Sequence, residues 1–128
     1  MVELANKIDG WSMGLTLFVP GAVISGVLIG IKEYYARYGL QWRQVLGDND
    51  AGNALEAKWR KFGEDAFATI AAEEEKTDVA PVLPSYIHLR DARIILGSAV
   101  VPVNEGLLWR GRIGAVAGFS VGLMSANK

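Results

Sequence analysis

The sequence predicts a mainly β fold of the α+β class. We expect a small, strongly bent five-stranded antiparallel barrel, with a short N-terminal helix and a two-helix insertion after the second strand. Residues 15–31 form an uncharged stretch that Pro20-Gly21 interrupts. Apolar residues change to helical spacing within residues 33–76, and strand-like segments separated by Gly and Pro follow. At 128 residues the chain is long enough to bury a core, so residues 1–128 are expected to form a single domain.

Composition restricts the classes of function. Hydrophobic residues make up 51% of the chain and charged residues 21%, which is typical of a globular protein. A formal net charge of −1 gives no global basic field for nucleic acid. The absence of cysteine excludes disulfides and thiolate chemistry, and a single histidine excludes a zinc site built on several imidazoles. The N-terminus lacks the basic region and apolar core of a signal peptide, so a cytoplasmic location is expected.

The uncharged stretch at residues 15–31 has two competing interpretations, a membrane-spanning helix or two buried strands joined by a turn. A spanning helix needs about 20 apolar residues, and the stretch falls slightly short of that. Pro20-Gly21 is a strong turn signal, because proline fixes φ and glycine readily adopts a positive one. The flanking segments are rich in Leu, Val and Ile. These signals favour a β-hairpin with strands over residues 13–19 and 22–31, and no membrane span is expected.

The flanking elements are assigned from periodicity. Apolar residues at helical spacing predict an amphipathic helix over residues 2–8, which Asp9-Gly10 ends. Gly26 and Gly30 within the second strand predict a bend, a bulge or a close approach of another backbone.

The insertion is predicted to contain two helices. The first helix follows Lys32, and a loop over residues 47–52 separates it from the second, for which Asn53 is a candidate N-cap. Apolar residues at helical spacing form one stripe on the second helix, with charges on the other face: Leu55, Trp59, Phe62, Ala66 and Ile70.

The C-terminal third is predicted to return to β structure. The prolines of residues 77–84 indicate a linker, and Pro102 allows an edge strand over residues 100–103. The remaining strands are expected over residues 86–95, 107–113 and 114–124.

No catalytic constellation is present. The chain lacks a phosphate-binding P-loop and a Gly-x-Ser-x-Gly nucleophile elbow. Glu73, Glu74 and Glu75 are consecutive, so they fan around a helix and cannot face one cleft as an acid–base pair. A non-enzymatic protein without cofactor or metal is therefore expected.

Two groups of side chains are candidate interaction residues. The aromatic residues of the insertion either pack within the fold or form a partner or oligomer surface. The basic residues near the C-terminus, with Trp109 as a stacking platform, are candidates for RNA or anion contact, although ion pairs with Asp91 and Glu105 are the favoured interpretation. The aromatic group is Tyr34, Tyr35, Tyr38, Trp42, Trp59 and Phe62, with Phe67 nearby; the RNA or anion group is Lys32, Arg90, Arg110, Gly111 and Arg112, with Arg93 nearby.

Three separated motifs resemble the Sm-like family. They are Gly21-Ala-Val-Ile-Ser-Gly-Val-Leu-Ile-Gly-Ile31, Leu89-Arg-Asp-Ala92 and Leu108-Trp-Arg-Gly-Arg-Ile113. The resemblance implies a bent five-stranded barrel and ring-like self-association. Lys32 stands where that family has Asp, and only Arg110-Gly111 remains of the residues with which it contacts RNA. An RNA-binding ring is thus an alternative that is not favoured.

A second resemblance covers more of the chain. Five segments resemble the gas vesicle accessory protein family of the U type: Ser25-Gly-Val-Leu-Ile29, the following Glu33-Tyr34, residues 86–92, Leu108-Trp-Arg-Gly111 and Val116-Ala-Gly-Phe119. The resemblance implies a small, soluble, non-enzymatic protein that acts in gas vesicle formation or clustering. Its partners would be the shell protein or other accessory proteins, and a homo-oligomer is expected. The residues assigned to the structural signature are Gly21, Gly26, Gly30, His88, Asp91 and Trp109.

Overall fold

The computed structural model describes residues 2–74, 85–102 and 105–123. These residues form an α+β fold with three α-helices and six strands. The elements in chain order are α1 (Val2–Lys7), β1 (Met13–Val19), β2 (Ala22–Ile29), α2 (Ile31–Leu46), α3 (Asp50–Glu74), β3 (Tyr86–Leu96), β4 (Ala99–Val101), β5 (Leu107–Arg112) and β6 (Gly118–Val121).

The strands form one antiparallel sheet that is open. Its order is β6–β1–β2–β3, and the far edge of β3 pairs with β5 along its first part and with β4 at its end. Among the described residues no ladder joins β5 to β6, so the predicted closed five-stranded barrel is wrong in both closure and strand number. The long strand expected over residues 114–124 is also wrong, because a 3₁₀ turn at Ile113–Ala115 precedes the four-residue β6.

The turn predicted at Pro20-Gly21 is confirmed. Residues 19 and 22 pair directly across the hairpin, and Gly21 has a φ of 82°, which the second central position of a type II turn requires. The strand β1 has its predicted bounds. The strand β2 ends at Ile29 rather than at residue 31, because Gly30 already caps α2. No helix among the described residues is long and apolar enough to cross a membrane.

Two bulges bend the sheet where β2 meets β3 and where β3 meets β5. At the first, a Cβ on Gly26 would lie 3.0 Å from the Ala92 Cα, so glycine allows the two strands to approach. At the second, Asp91 has a φ of 52°, and the backbone of Gly106 packs against it. The bend predicted at Gly26 is thus present, with the bulge in β3 as its counterpart.

The main hydrophobic core lies on one face of the sheet. Alternate residues of β1, β2 and β3 point into it, and α1 adds Ala5. The opposite face carries a second, smaller cluster, in which Ile29 packs against Tyr34 and Tyr35 of α2. The buried members of the main core are Ala5, Leu15, Leu17, Ile24, Leu28, Ile87, Leu89 and Ala92.

The helices α2 and α3 form an antiparallel hairpin that packs mainly on itself. Glycines bring the two backbones together: a Cβ on Gly39 would lie 2.8 Å from the Glu56 carbonyl oxygen, and one on Gly63 would lie 2.9 Å from the Tyr35 Cβ. The buried positions of α3 are therefore Gly52, Glu56 and Gly63.

One of the two predictions about α3 is wrong. The apolar stripe is present and packs partly on α2, since Trp59 and Phe62 contact Tyr35, and its members remain half-buried or exposed. The cap of α3 is Asn49 rather than Asn53: the Asn49 Oδ1 accepts a hydrogen bond from the Gly52 N–H at 2.9 Å. The predicted linker at residues 77–84, and residues 103 and 124 at predicted strand ends, lie outside the described residues.

Glu56 is buried between the two helices and pairs with two arginines. Arg43 of α2 lies 2.9 Å away, and Arg60 of α3 contacts the other carboxylate oxygen. We expect Glu56→Ala to lower the free energy of unfolding by about 2 kcal/mol, because both arginines lose a partner, although they are partly exposed and regain water. Glu64→Ala on the exposed side of the same helix is the control, with an expected change within about 0.5 kcal/mol. Urea denaturation of both variants measures the difference, and equal losses would contradict the role of Glu56.

Candidate protein-binding face of the helical hairpin

The structure brings the predicted aromatic residues together on one side of the α2–α3 hairpin. Tyr35 stacks on Trp59 with ring centroids 5.7 Å apart, and Tyr38 meets the same indole edge-on at 5.0 Å. Phe62 packs edge-on against Tyr35 at 4.8 Å. We call this cluster the aromatic face; it comprises Tyr34, Tyr35, Tyr38, Trp42, Trp59 and Phe62.

Exposure differs among the members of the aromatic face. Tyr34 and Tyr35, in the first turns of α2, are buried against the sheet. Trp42 is 38% exposed and Phe62 51% exposed. Contact with Tyr35 and Trp59 covers only part of Phe62, and contact with Tyr38 covers only part of Trp42. Among residues 2–74, 85–102 and 105–123, the outer part of the aromatic face is therefore an apolar surface without a partner.

The apolar surface extends beyond the predicted residues. Val45 and Leu46 lie three and four positions after Trp42, so they share its side of α2, and both are exposed. Neither residue was predicted as an interaction residue, although their spacing from Trp42 is visible in the sequence. Leu40 is also exposed, but it lies on the opposite side of α2.

His88 and Arg110 form a polar corner where the base of the hairpin meets the sheet. The Arg110 Nε–H donates a hydrogen bond to the His88 Nε2 at 3.3 Å, and its guanidinium lies 3.6 Å from the Tyr86 ring centroid. The imidazole is buried, with its ring centroid 4.6 Å from that of Tyr34. Burial lowers the pKa of His88 from 6.5 to about 4, and the Arg110 cation acts in the same direction.

His88 and the neighbouring Tyr34 are therefore both uncharged at neutral pH. His88 is neutral, and the hydrogen bond from Arg110 places its proton on Nδ1, which has no hydrogen-bond partner. Burial also raises the pKa of the Tyr34 phenol, so that phenol stays protonated. Neither group is poised to exchange a proton near pH 7. Among the described residues no cluster of three His, Asp or Glu side chains is suited to a metal ion.

Two members of the predicted basic group are held in ion pairs. Lys32 pairs with Asp9 at 2.8 Å and lies over the Phe67 ring. Arg90 pairs with Asp91 at 2.8 Å and with Glu33 at 3.4 Å, so the predicted ion pair to Asp91 is present.

Arg110 lies in the polar corner, and Arg112 follows it two residues along β5, opposite Tyr86. Gly111 lies beneath the Trp109 indole. RNA contact by any of these residues stays a prediction.

The residues of the predicted structural signature lie in and around the sheet. Gly21 forms the first hairpin turn, Gly26 and Asp91 lie at the two bulges, and Trp109 packs on the edge of the main core. Gly30 lies beneath α1, where a Cβ would approach the Ala5 carbonyl oxygen to 2.0 Å.

Comparison with known proteins identifies a matching family. A family model described as "Gas vesicle protein GvpU-like" matches residues 1–124. No curated protein and no solved structure matches the chain.

Proposed function

The chain belongs to the GvpU-like family of gas vesicle proteins, and from that premise we propose that it is a non-enzymatic accessory scaffold in the cytoplasm. It binds gas vesicle proteins, either the shell protein or other accessory proteins, through the aromatic face. It also self-associates, so that one assembly contacts several partners. The bent sheet anchors the hairpin; the strand order β6–β1–β2–β3–β5 supports kinship with an Sm-like barrel opened between β5 and β6.

The unpartnered aromatic face carries this proposal. Trp42 and Phe62 are large, rigid side chains that stand exposed beside Tyr38 and Trp59, and exposed aromatic clusters of this kind are characteristic of protein interfaces. Burial of such anchors supplies most of the binding energy in known complexes. A protein that kept this surface only for its own stability would be expected to turn it towards the sheet.

The carboxylates next to the aromatic face are paired, and Lys58 places an ammonium group 5.8 Å from the Trp59 ring centroid. Glu56 is neutralised by Arg43 and Arg60 between the helices, and Glu33 lies on the far side of α2, paired with Arg37 and Arg90. An apolar or amphipathic helix of a partner protein therefore meets little desolvation cost on this surface.

A co-flotation assay tests the proposal. Purified chain is mixed with gas vesicles isolated from cells that lack it, and the buoyant layer is collected and quantified. We expect Trp42→Ala to weaken binding about tenfold or more, since it removes a central aromatic anchor. Leu40→Ala is the matched control, because Leu40 is 37% exposed, nearly the same as Trp42, but on the opposite side of α2.

The two variants separate the outcomes. Circular dichroism establishes that both remain folded. If Trp42→Ala floats with the vesicles as well as Leu40→Ala does, the aromatic face is not the binding surface. If the wild-type chain itself does not float with vesicles, the proposed contact with vesicle proteins is wrong.

A further inference from the structure

The strand β6 exposes apolar side chains at the edge of the sheet. Phe119 and Val121 pair with Leu17 and Leu15 of β1, both buried, so all four point to the same face of the sheet as the main core. Nothing among the described residues covers that face at β6: Phe119 is 57% exposed, Val121 65% and the adjacent Leu123 65%. Within the same part of the chain no strand pairs with the outer edge of β6.

The two edges of the sheet differ in how they are protected. At the far edge, β5 carries Arg110 and Arg112, and β4 is three residues long and ends beside Pro102. Charge, short length and proline are the usual means by which proteins block edge-to-edge pairing. The strand β6 is also short, at four residues, but its sequence Gly-Phe-Ser-Val contains neither charge nor proline. The unprotected edge of the described sheet is therefore β6.

The hydrogen bonds of β6 fix how another strand would pair with it. The Gly122 N–H donates to the Gly14 carbonyl at 2.9 Å. Backbone groups alternate in direction along a strand, so Ser120 also bonds to β1, whereas the N–H and C=O groups of Phe119 and Val121 point outward. An antiparallel strand with outward groups at the same two-residue spacing would satisfy all four of them.

A second copy of β6 has that spacing. We propose that two copies of the chain associate by pairing their β6 strands antiparallel about a two-fold axis at Ser120, which joins the two sheets into one. Phe119 of one copy then lies opposite Val121 of the other, and their backbones exchange two hydrogen bonds. The two-fold axis generates an equivalent pair between Val121 of the first copy and Phe119 of the second. Both apolar side chains pack on the core face, where each copy leaves them exposed.

The size of the contact sets its strength. Three exposed side chains and a four-residue ladder bury less than the roughly 1,200 Å² typical of stable complexes, so the pair is reversible and depends on concentration. This inference rests on the self-association in the proposed function and adds its surface and symmetry. The aromatic face lies on the helical hairpin, away from β6, so each dimer presents two aromatic faces.

Cysteine cross-linking tests the register, because the native chain has no cysteine. The two Ser120 residues would form a non-hydrogen-bonded pair with Cα atoms about 4.5 Å apart, which suits a disulfide. We expect Ser120→Cys to form a covalent dimer under mild oxidation at least tenfold faster than Ser98→Cys, another exposed serine, in the β3–β4 turn. Equal rates would overturn the proposal.

Sedimentation of the full chain over a range of concentrations provides the second measurement. A monomer–dimer equilibrium is expected for the wild type, and Val121→Lys should shift it towards monomer at least tenfold, whereas Val45→Lys on the hairpin should not. Growth beyond a dimer, or a wild-type chain that stays monomeric at hundreds of micromolar, would overturn the two-fold pairing. If the dimer is absent while Trp42→Ala still loses vesicle binding, the β6 inference fails and the vesicle contact stands. If the dimer forms while Trp42→Ala binds vesicles as well as the wild type does, only the vesicle contact is wrong.

Discussion

Replacement of Gly30 by alanine is expected to lower the free energy of unfolding by about 3 kcal/mol, with a fall in Tm of roughly 10 °C. A Cβ at this position would lie 2.0 Å from the Ala5 carbonyl oxygen, a backbone atom that cannot rotate away. Gly30 has a φ of −81°, which any residue adopts, so the lack of space alone produces the effect. Thermal and urea denaturation measure the loss.

The reason for the size of this effect is that α1 and α2 meet at Gly30. The Ile31 N–H, unpartnered within its own helix, donates to the Asn6 Oδ1 at 3.0 Å, so α1 caps α2 across 25 residues of sequence. A methyl group at Gly30 separates the helices and breaks this bond too. In the Gly30→Ala background, Asn6→Ala should therefore cost less than in the wild type, a non-additivity that a double-mutant cycle measures.

A second glycine serves as the control. A Cβ added at Gly114 would have no heavy atom within 4 Å, and Gly114 does not have a positive φ. Gly114→Ala is therefore expected to change stability by less than about 0.5 kcal/mol. Equal stability of the two variants would show that α1 does not pack on Gly30 as described.

Acidification from pH 7 to pH 5 is expected to remove about 2 kcal/mol of stability through His88 alone. Burial, reinforced by Arg110, holds the pKa of the folded imidazole at about 4, against the ordinary value of 6.5 that applies to the unfolded chain. Between these values the unfolded chain binds a proton that the folded chain does not. The contribution of His88 to the free energy of unfolding is therefore fully present above about pH 6.5 and falls as the pH drops towards 4.

The lone histidine makes this prediction directly measurable. Its imidazole gives a single set of proton NMR signals, which should show no titration near pH 6.5. His88→Gln is the comparison variant, since the amide oxygen still accepts a hydrogen bond from Arg110 but does not titrate. Its stability should be about 2 kcal/mol less sensitive to the same pH change. A His88 pKa near 6.5, or parallel pH profiles for both chains, would contradict the burial of this residue.

Local signals predicted the elements that depend on neighbouring residues. Pro20-Gly21 determined the β1–β2 hairpin, because this pair sets the backbone angles of the turn by itself. Helical spacing predicted α2 and α3, and the aromatic residues that form the aromatic face were recognised as one group. Gly26 was assigned to a bend, and the structure places a bulge beside it.

Features that depend on contacts between distant segments were not predicted. The far edge of β3 pairs with both β5 and β4. Strands that pair over such separations in the chain leave no local sequence pattern, so the open sheet was not predicted. The close approach of α2 and α3 at Gly39 and Gly63 likewise depends on the opposite helix. The unprotected edge of β6 became visible only once its pairing with β1 was known.

The sequence by itself determined that this chain folds as strands and an aromatic helical hairpin, and that it belongs with gas vesicle accessory proteins, because turns, periodicity and family motifs are written in consecutive residues. The tertiary structure decided which apolar surfaces remain without a partner. Burial is a property of what lies across from a side chain, so the exposed aromatic face and the open edge of β6 are set by the packing of segments that are far apart in the chain.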